Sequence, residues 1–407
     1  MNRAFFMMKK REAGILFIFI TILLDAIGIG LIVPILPEVI RKFGHDEAFV
    51  SSYFGYFISI YSFMLFIASP FLGSLADRFG RRPVLLVALC GAGLDYLLMA
   101  FAPNLTWLFI GRIISGLSGA SITVASSYIA DISNDQNRTK NFGMIGAAFG
   151  VGFVLGPALG GLIGTYGANL PFIVAAILSL LNFIFGLFVL PESLPAEKRK
   201  KEINYQKMNP FPSVYKAFFQ SKTSALVWVF FLTNLAGQSH PSIWALYTHY
   251  KFGWNSLQIG LSLTMVGLAF GLGQGVSTQI ITKKIGEYKS LLYGTFVLII
   301  SFLFYALSSS PWMLYATISL LLFTSIVMPS LQSLIAKDVS PQEQGELQGT
   351  LVSITSLTSI LGPLYYTSLF SYFTHQNHLN FAGAPYIGAM VISFVCFFII
   401  WSQKKKY

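Results

Sequence analysis

Gly73-Ser-Leu-Ala-Asp77-Arg78-Phe-Gly80-Arg81-Arg82-Pro83 is a short basic turn with a single acid. Apolar stretches flank it at 50–73 and 84–102, each near the length of about 20 residues that crosses a bilayer. A connection this short stays at the membrane surface, so its charges sit at the mouth of two adjacent helices. A carboxylate and an arginine placed there can hold a helix end until something displaces it. Asp77 and Arg81 are therefore candidate gating residues.

The rest of the chain fits a membrane setting. Of 407 residues, 55% are hydrophobic and 11% charged, against about 25% charged in soluble domains. The net charge of +11 would suit a nucleic-acid partner, but its distribution argues against one. Apart from Arg41, Lys42, Lys251 and Arg112, the 27 Lys and Arg fall in the termini and in alternate loops. That asymmetry is the positive-inside pattern, so the basicity sets orientation. Cys90 and Cys396 both lie in apolar stretches and read as buried thiols. The segment Met1–Glu12 is charged, but no small-residue cleavage site follows the first apolar run, so that run is expected to be the insertion signal itself.

Twelve apolar stretches can be marked, at 14–36, 50–73, 84–102, 105–129, 142–165, 170–190, 224–247, 257–281, 289–308, 311–335, 347–371 and 384–402. An even number puts both termini on one side. The basic ends (Lys9, Lys10 and Arg11; Lys404, Lys405 and Lys406) make that side the cytoplasm. The longest polar segment runs from Pro191 to Lys222 and carries Lys198-Arg-Lys-Lys201. The expectation is an all-α membrane protein with an N-terminal six-helix half at 1–190, a cytoplasmic linker at 191–222 and a C-terminal six-helix half at 223–407. The halves read as repeats. Gly156-Pro157 recurs as Gly362-Pro363, and Asp77-Arg-Phe-Gly80 recurs, degraded, as Lys283-Lys-Ile-Gly286, both 206 residues on. Trp107 and Trp312 open the fourth and tenth stretches, 205 apart. Two such halves around a central cavity is an architecture shared by many secondary transporters.

No hydrolase elbow, zinc spacing or phosphate loop is evident. The chain reads as neither an enzyme nor a nucleotide-driven pump, with no metal and no cofactor expected. Ionisable residues within spans are costly and are functional candidates by default. Asp25 lies mid-span in Leu23-Leu-Asp-Ala-Ile-Gly-Ile-Gly30, and Asp95 in Gly93-Leu-Asp-Tyr-Leu. Each is either a proton-exchanging carboxyl or a structural bond to a neighbouring helix. Arg112, in Gly111-Arg-Ile-Ile-Ser-Gly116, keeps its charge and needs an acid partner, either Asp25 or Asp95. In the second half His240 is the one ionisable candidate, in Asn234-Leu-Ala-Gly-Gln238-Ser-His-Pro241. It is read as a proton carrier or as a hydrogen-bonded polar residue. Asn234, Gln238 and Gln274 are neutral amides that either orient a substrate or bond between helices. Trp244 and Tyr247 share a helix face that is expected to line a cavity. The fifth span carries Gly146, Gly150, Gly152, Gly156-Pro157, Gly160 and Gly161, a smooth face for close packing with a proline that bends the helix.

These segments resemble the major facilitator superfamily and, within it, the bacterial tetracycline/proton antiporters, over nearly the whole chain. The turn Gly73–Arg82 resembles the superfamily signature between spans 2 and 3, and Arg112 with Gly116 its span-4 signature. Gly152-Phe-Val-Leu-Gly-Pro-Ala-Leu-Gly-Gly161 is similar to the span-5 signature of antiporters. The narrower likeness rests on Leu24-Asp-Ala-Ile-Gly-Ile-Gly-Leu, Leu94-Asp-Tyr-Leu-Leu, Phe252-Gly-Trp-Asn-Ser256 and Gly345-Glu-Leu-Gln-Gly349. The resemblance implies proton-coupled export by alternating access, with Asp25, Asp95 and Arg112 as proton-coupling candidates, and His240 joins them on its own chemistry. Asp25, Asn234, Gln238, Trp244 and Gln274 are the substrate-binding candidates. The implied gating residues are Asp77, Arg81, Asp131, Gly156 and Pro157, with Asp77 docking on span 11 and Arg81 pairing with Asp131. It further implies a multi-pass, monomeric protein of the bacterial inner membrane whose partners are protons, lipid and a small amphipathic substrate. Two positions depart from the pumps: their span-9 acid and span-8 histidine correspond to Leu298 and Phe270 here. Both are apolar, which argues against tetracycline as substrate. A transporter of a specific metabolite, such as a siderophore or amino-acid derivative, and a receptor on a transporter fold are the alternatives.

Overall fold

The computed structural model describes residues 2–44, 46–119, 121–134, 136–200, 211–221, 223–337, 339–340, 343–375 and 379–405. Lys201 and Lys222 of the expected linker lie outside the described residues, as do Ala120 and Lys406 and the side chains of Lys9, Lys10, Arg11 and Lys405. Among the described residues the long elements are all helices. They run α1 (Asn2–Ile32), α2 (Leu36–Arg41), α3 (Glu47–Phe79), α4 (Arg81–Ala100), α5 (Leu105–Ser118), α6 (Ser121–Ile132), α7 (Arg138–Gly164) and α8 (Leu170–Val189). After the linker come α9 (Phe211–Phe219), α10 (Ser224–Gly237), α11 (Ser239–Phe252), α12 (Ser256–Leu272), α13 (Thr278–Ile285) and α14 (Glu287–Leu307). The series closes with α15 (Pro311–Ser319), α16 (Leu321–Thr324), α17 (Val327–Lys337), α18 (Gln344–Thr374) and α19 (Ala384–Ser402).

Among the described residues, eleven helical segments are long and apolar enough to cross a membrane. The twelfth expected span, 224–247, is α10 and α11 with a break at Gln238. Pro241 supplies the reason. A proline has no N–H to give to the residue four positions earlier, here Gly237, and its ring crowds that carbonyl. The helix therefore stops at Gly237 and restarts so that Pro241 falls in the first turn of α11, where the missing N–H costs nothing. The eighth span is interrupted by a π-turn at Gly273–Ser277 between α12 and α13, in a stretch of sequence whose glycines weaken the helix.

The chain groups into two compact units. One comprises residues 1–39 and 60–208, the other 40–59 and 209–407. The core of the first packs Phe17, Ile22, Leu85, Leu89, Val124 and Tyr128. The core of the second packs Val227, Phe230, Leu291, Leu331, Ile354 and Ile400.

The glycines of α7 divide by face. A Cβ at Gly156 would come within 2.8 Å of Gly30 Cα, and one at Gly152 within 2.7 Å of the Leu23 carbonyl oxygen. Gly160 sits as tightly against the Leu31 backbone. Spacing by four places all three on the face that meets α1, so the two backbones approach without side chains between them. Gly146 and Gly150 meet nothing within 4 Å. Pro157 belongs to the same contact, its Cδ 2.7 Å from where a Gly30 Cβ would stand. The segment Phe252-Gly-Trp-Asn-Ser256 has a local cause too. Gly253 takes φ 64° to end α11, and Asn255 with Gln258 forms a reciprocal capping box that opens α12, a pairing that satisfies two free backbone donors.

Gly156→Leu is expected to prise α1 from α7 and to lower the thermal-unfolding temperature of the purified protein, since overpacking costs about 1–3 kcal/mol. Gly150→Leu, on the open face, is the control and is expected to leave that temperature unchanged.

Candidate functional site

The first unit assembles a buried charge cluster from α1, α3, α4, α5 and α6. Asp95 on α4 is fully buried, and Arg112 on α5 is 8% exposed. Nη2 of Arg112 lies 3.8 Å from Oδ2 of Asp95. Gly111 makes the approach possible, because a Cβ there would stand 2.9 Å from Asp95 Oδ1 and 2.7 Å from Met99 Cγ. The guanidinium also donates to the Met99 sulfur from Nε at 3.2 Å and Nη2 at 2.8 Å, and it sits over the Tyr61 ring at 5.7 Å. An arginine keeps its proton in any protein environment. Here it is met by one carboxylate at ion-pair distance, a soft sulfur and an aromatic face.

Asp25 on α1 is half-buried and accepts a hydrogen bond from Ser121 Oγ on α6 at 2.7 Å. One turn along, Gly28 makes room for the Tyr96 hydroxyl, which a Cβ would approach to 2.7 Å. Tyr96, next to Asp95 on α4, thus reaches from the acid–arginine pair to the turn of α1 that follows Asp25. Of the two partners open to Arg112, Asp95 makes the pair. Protonating either carboxyl would change what the fixed positive charge is balanced against.

A second cluster closes the turn between α3 and α4. Arg81, itself 8% exposed, pairs with Asp77 at the end of α3 and, through Nε at 3.1 Å, with Asp131 near the end of α6. Lys200 pairs with Asp77 as well. Ser193 Oγ donates to Asp131 at 3.0 Å, and Glu192 accepts from the backbone N–H groups of Arg81 at 2.9 Å and Leu194 at 3.0 Å. Gly80 turns the chain with φ 105°, a backbone state that favours glycine.

In the second unit His240 is the second residue of α11. Its ring stacks on Trp244 at 4.4 Å between centroids and lies 5.1 Å from Tyr305. Nε2 meets no hydrogen-bond partner among the described residues. Trp244 and Tyr247, expected to line a cavity, are enclosed instead. The indole N–H donates to Ser262 Oγ at 2.8 Å, and the Tyr247 hydroxyl to the Tyr305 carbonyl at 2.6 Å. Gln238 fills the gap between α10 and α11 and donates to Ser359 Oγ at 3.0 Å. Asn234 donates to the Phe230 carbonyl at 2.8 Å. Gln274 is exposed on the π-turn, Phe270 is exposed, and Leu298 is half-buried.

Several members were missed in the sequence: Tyr61, Met99 and Ser121 around the buried charges, Glu192, Ser193 and Lys200 around the turn, and an ion pair between Glu287 and Lys337 in the second unit. An aromatic ring or a sulfur beside an arginine leaves no mark in a sequence. The last pair does leave one, since 287 and 337 lie 206 beyond 81 and 131.

A polytopic helical bundle with a buried acid–arginine pair and an ion cluster at a short loop has the anatomy of a membrane carrier. The Major Facilitator Superfamily model matches residues 18–363, and the chain belongs to that superfamily. It is 39% identical to the class C tetracycline resistance protein of Escherichia coli, over 89% of this chain and 91% of that one. It is 28% identical to Multidrug resistance protein 2 of Bacillus subtilis over 93% of both. Among solved structures, the nucleoside transporter NupG superimposes with a TM-score of 0.76, covering 96% of this chain and 99% of that one at 15% identity, a likeness of fold.

Asp95→Asn leaves Arg112 buried without its anion, and removing one partner of such a pair costs about 3–5 kcal/mol. A marked fall in thermal-unfolding temperature is expected. The double variant Asp95→Leu with Arg112→Met, which removes both charges, is expected to recover most of that fall. Equal losses in the two variants would show that the pair does not set the local stability.

Proposed function

We propose that this protein is a proton-coupled exporter of small amphipathic compounds, of the multidrug or antibiotic-efflux type, working by alternating access in a bacterial inner membrane. Both termini would face the cytoplasm. The two six-helix halves at 1–190 and 223–407 would be joined by the linker at 191–222. The observation that carries the proposal is the buried pair of Arg112 and Asp95, in the unit that also holds the carboxyl of Asp25 within a span. The kinship with proteins named for tetracycline and multidrug resistance supports an efflux role.

Proton exchange would proceed at the carboxyls of the first unit. With Asp95 ionised, Arg112 is neutralised and the group carries the net charge of Asp25. Protonation of one acid from outside brings the group to zero net charge, and return of that proton to the inside restores a negative charge that is costly in the bilayer. A substrate that competes for the same carboxyl would make release of one depend on uptake of the other. Asp25, held by one serine, is the acid open to that competition. Asp95, held by Arg112, is the one that sets the charge balance. In the second unit Gln238 and Gln274 offer amide contacts to a substrate. His240, with a ring nitrogen that meets no hydrogen-bond partner among the described residues, is the candidate proton carrier on that side. Leu298 and Phe270 supply no charge, so the coupling is assigned to the first unit and tetracycline is not proposed as the preferred substrate.

Everted membrane vesicles energised with a proton gradient test this directly, with a panel of amphipathic dyes and antibiotics that includes tetracycline. Uptake of at least one compound is expected, abolished by an uncoupler and reduced at least tenfold by Asp25→Asn. Gradient-independent uptake, or full activity in Asp25→Asn, would contradict the assignment. Accumulation of a single metabolite class alone would favour the narrower transporter.

A further inference from the structure

α9 stands just before the seventh span. It is nine residues long, too short to hold itself together in water, so its stability comes from what it packs on. Val214, Ala217 and Phe218 are spaced three and four apart and share a face. They pack into the core of the second unit, where α9 meets α10 and α18. The joint to α10 is short and hydrogen-bonded. The Gln220 N–H donates to the Lys216 carbonyl at 2.9 Å and the Ser224 N–H to the Ser221 carbonyl at 3.1 Å. The Thr223 N–H donates to the Ser221 hydroxyl at 3.2 Å. These bonds fix the angle between α9 and the span.

Two further sectors of α9 face away from that core. Tyr215 and Phe219, four apart, are 59% and 62% exposed. Lys216 and Gln220, also four apart, are exposed on the next sector round. The aromatic sector does not end with α9. Ring centroids lie 5.1 Å apart for Tyr215 and Phe219, 6.0 Å for Phe219 and Trp228, and 6.0 Å for Trp228 and Phe231. The last two residues are on α10, and Trp228 is itself exposed. Four rings therefore make one strip that runs from the linker helix onto the surface of a span. Trp228 is four residues into α10, about 6 Å along its axis. That is where Trp and Tyr rings favour the boundary between headgroups and acyl chains.

Charge completes the pattern. Residues 203–223 carry Lys207, Lys216 and Lys222 and no Asp or Glu. A short helix with an aromatic sector, a basic sector beside it and a third sector packed on the bundle has the composition of an element lying in the plane of a bilayer. A partner in solution would have to cover a strip that continues along α10 to a depth where only lipid is available.

We propose that α9 is an interfacial anchor of the second unit. Tyr215 and Phe219 enter the headgroup boundary beside Trp228, and Lys216 meets the headgroup phosphate of an anionic lipid. The packed sector transmits that placement to α10 and α18, so the linker joins the second unit at a fixed level in the membrane. The proposal goes beyond the exporter reading and rests only on the chain spanning a membrane, so it is tested without any transport.

The test uses the full-length protein with Cys90→Ser, reconstituted in phosphatidylcholine vesicles with and without phosphatidylglycerol. Cys396 stays in place, being fully buried. Tyr215→Cys, Phe219→Cys and Gln220→Cys are each spin-labelled, and collisions with oxygen, which partitions into lipid, are compared with those of a water-soluble nickel chelate. The oxygen-to-nickel ratio is expected to be several-fold higher at 215 and 219 than at 220. Phosphatidylglycerol is expected to raise it further at 219, and Lys216→Gln to abolish that rise. Equal ratios at the three positions would place the aromatic sector in water and overturn the anchor. Labels at 215 and 219 shielded from both reagents would mean that protein covers them, a second copy or another chain, and would overturn it too. A ratio at 219 indifferent to phosphatidylglycerol, or a rise that survives Lys216→Gln, would overturn the role of Lys216.

Discussion

Arg112 cannot give up its proton, and a permanent charge inside a bilayer must be met by something of opposite sign. Much of the first unit is arranged around that demand. Asp95 is buried on α4 to pair with it, and Gly111 is small so that the acid can approach. Met99 and Tyr61 turn a sulfur and a ring face to the guanidinium. The same demand gives the group its chemistry. On the reading proposed above, a pair at 3.8 Å, rather than a fork of short hydrogen bonds, would balance charge while leaving the carboxyl able to change state. Asp25, tied to Ser121 alone among the hydrogen bonds described for it, is the more available acid of the two.

The glycine face of α7 serves that arrangement from below. Backbone contact at Gly152, Gly156 and Gly160 fixes α1 against α7, and α1 is the helix that carries Asp25. A contact built from backbone has no long side chains to reorder, so it holds position at little entropic cost. In the second unit, by contrast, the seventh span is broken at Gln238 and the eighth by a π-turn. The amides that would meet a substrate, Gln238 and Gln274, lie at these two irregularities. The first unit therefore concentrates charge within its spans, while the second places neutral polar groups where its helices are interrupted.

How much of this could be read from the sequence follows from the same physics. Charged residues are rare in spans, so Asp25, Asp95 and Arg112 announced themselves, as did the basic turn with Asp77 and Arg81. The twelve-span reading followed from apolar length, and membership of the superfamily from the signatures around these residues. What the sequence hid were contacts made by ordinary residues. Met99 and Tyr61 resemble any other apolar lining until an arginine is seen beside them. Trp244 looked like a cavity residue because helical spacing gives a face but not what covers it, and here Ser262 and Tyr305 do. Glu192 and Lys200 looked like part of a solvated linker, because their contacts with Arg81 and Asp77 join residues far apart in sequence. The break in the seventh span was signalled by Pro241, four residues past the point at which the helix stops.

The central claim is that carboxyls of the first unit exchange protons in step with substrate. Infrared difference spectroscopy of the carboxylic acid band, on purified protein in lipid, reads that exchange directly. On addition of a compound shown to be transported, wild type should lose a protonated carboxyl signal and release a proton. The signal should be absent in Asp25→Asn, and altered in Asp95→Asn in the preparations that remain folded. A bound substrate that leaves the carboxyl band unchanged, or the same change persisting in Asp25→Asn, would contradict the account.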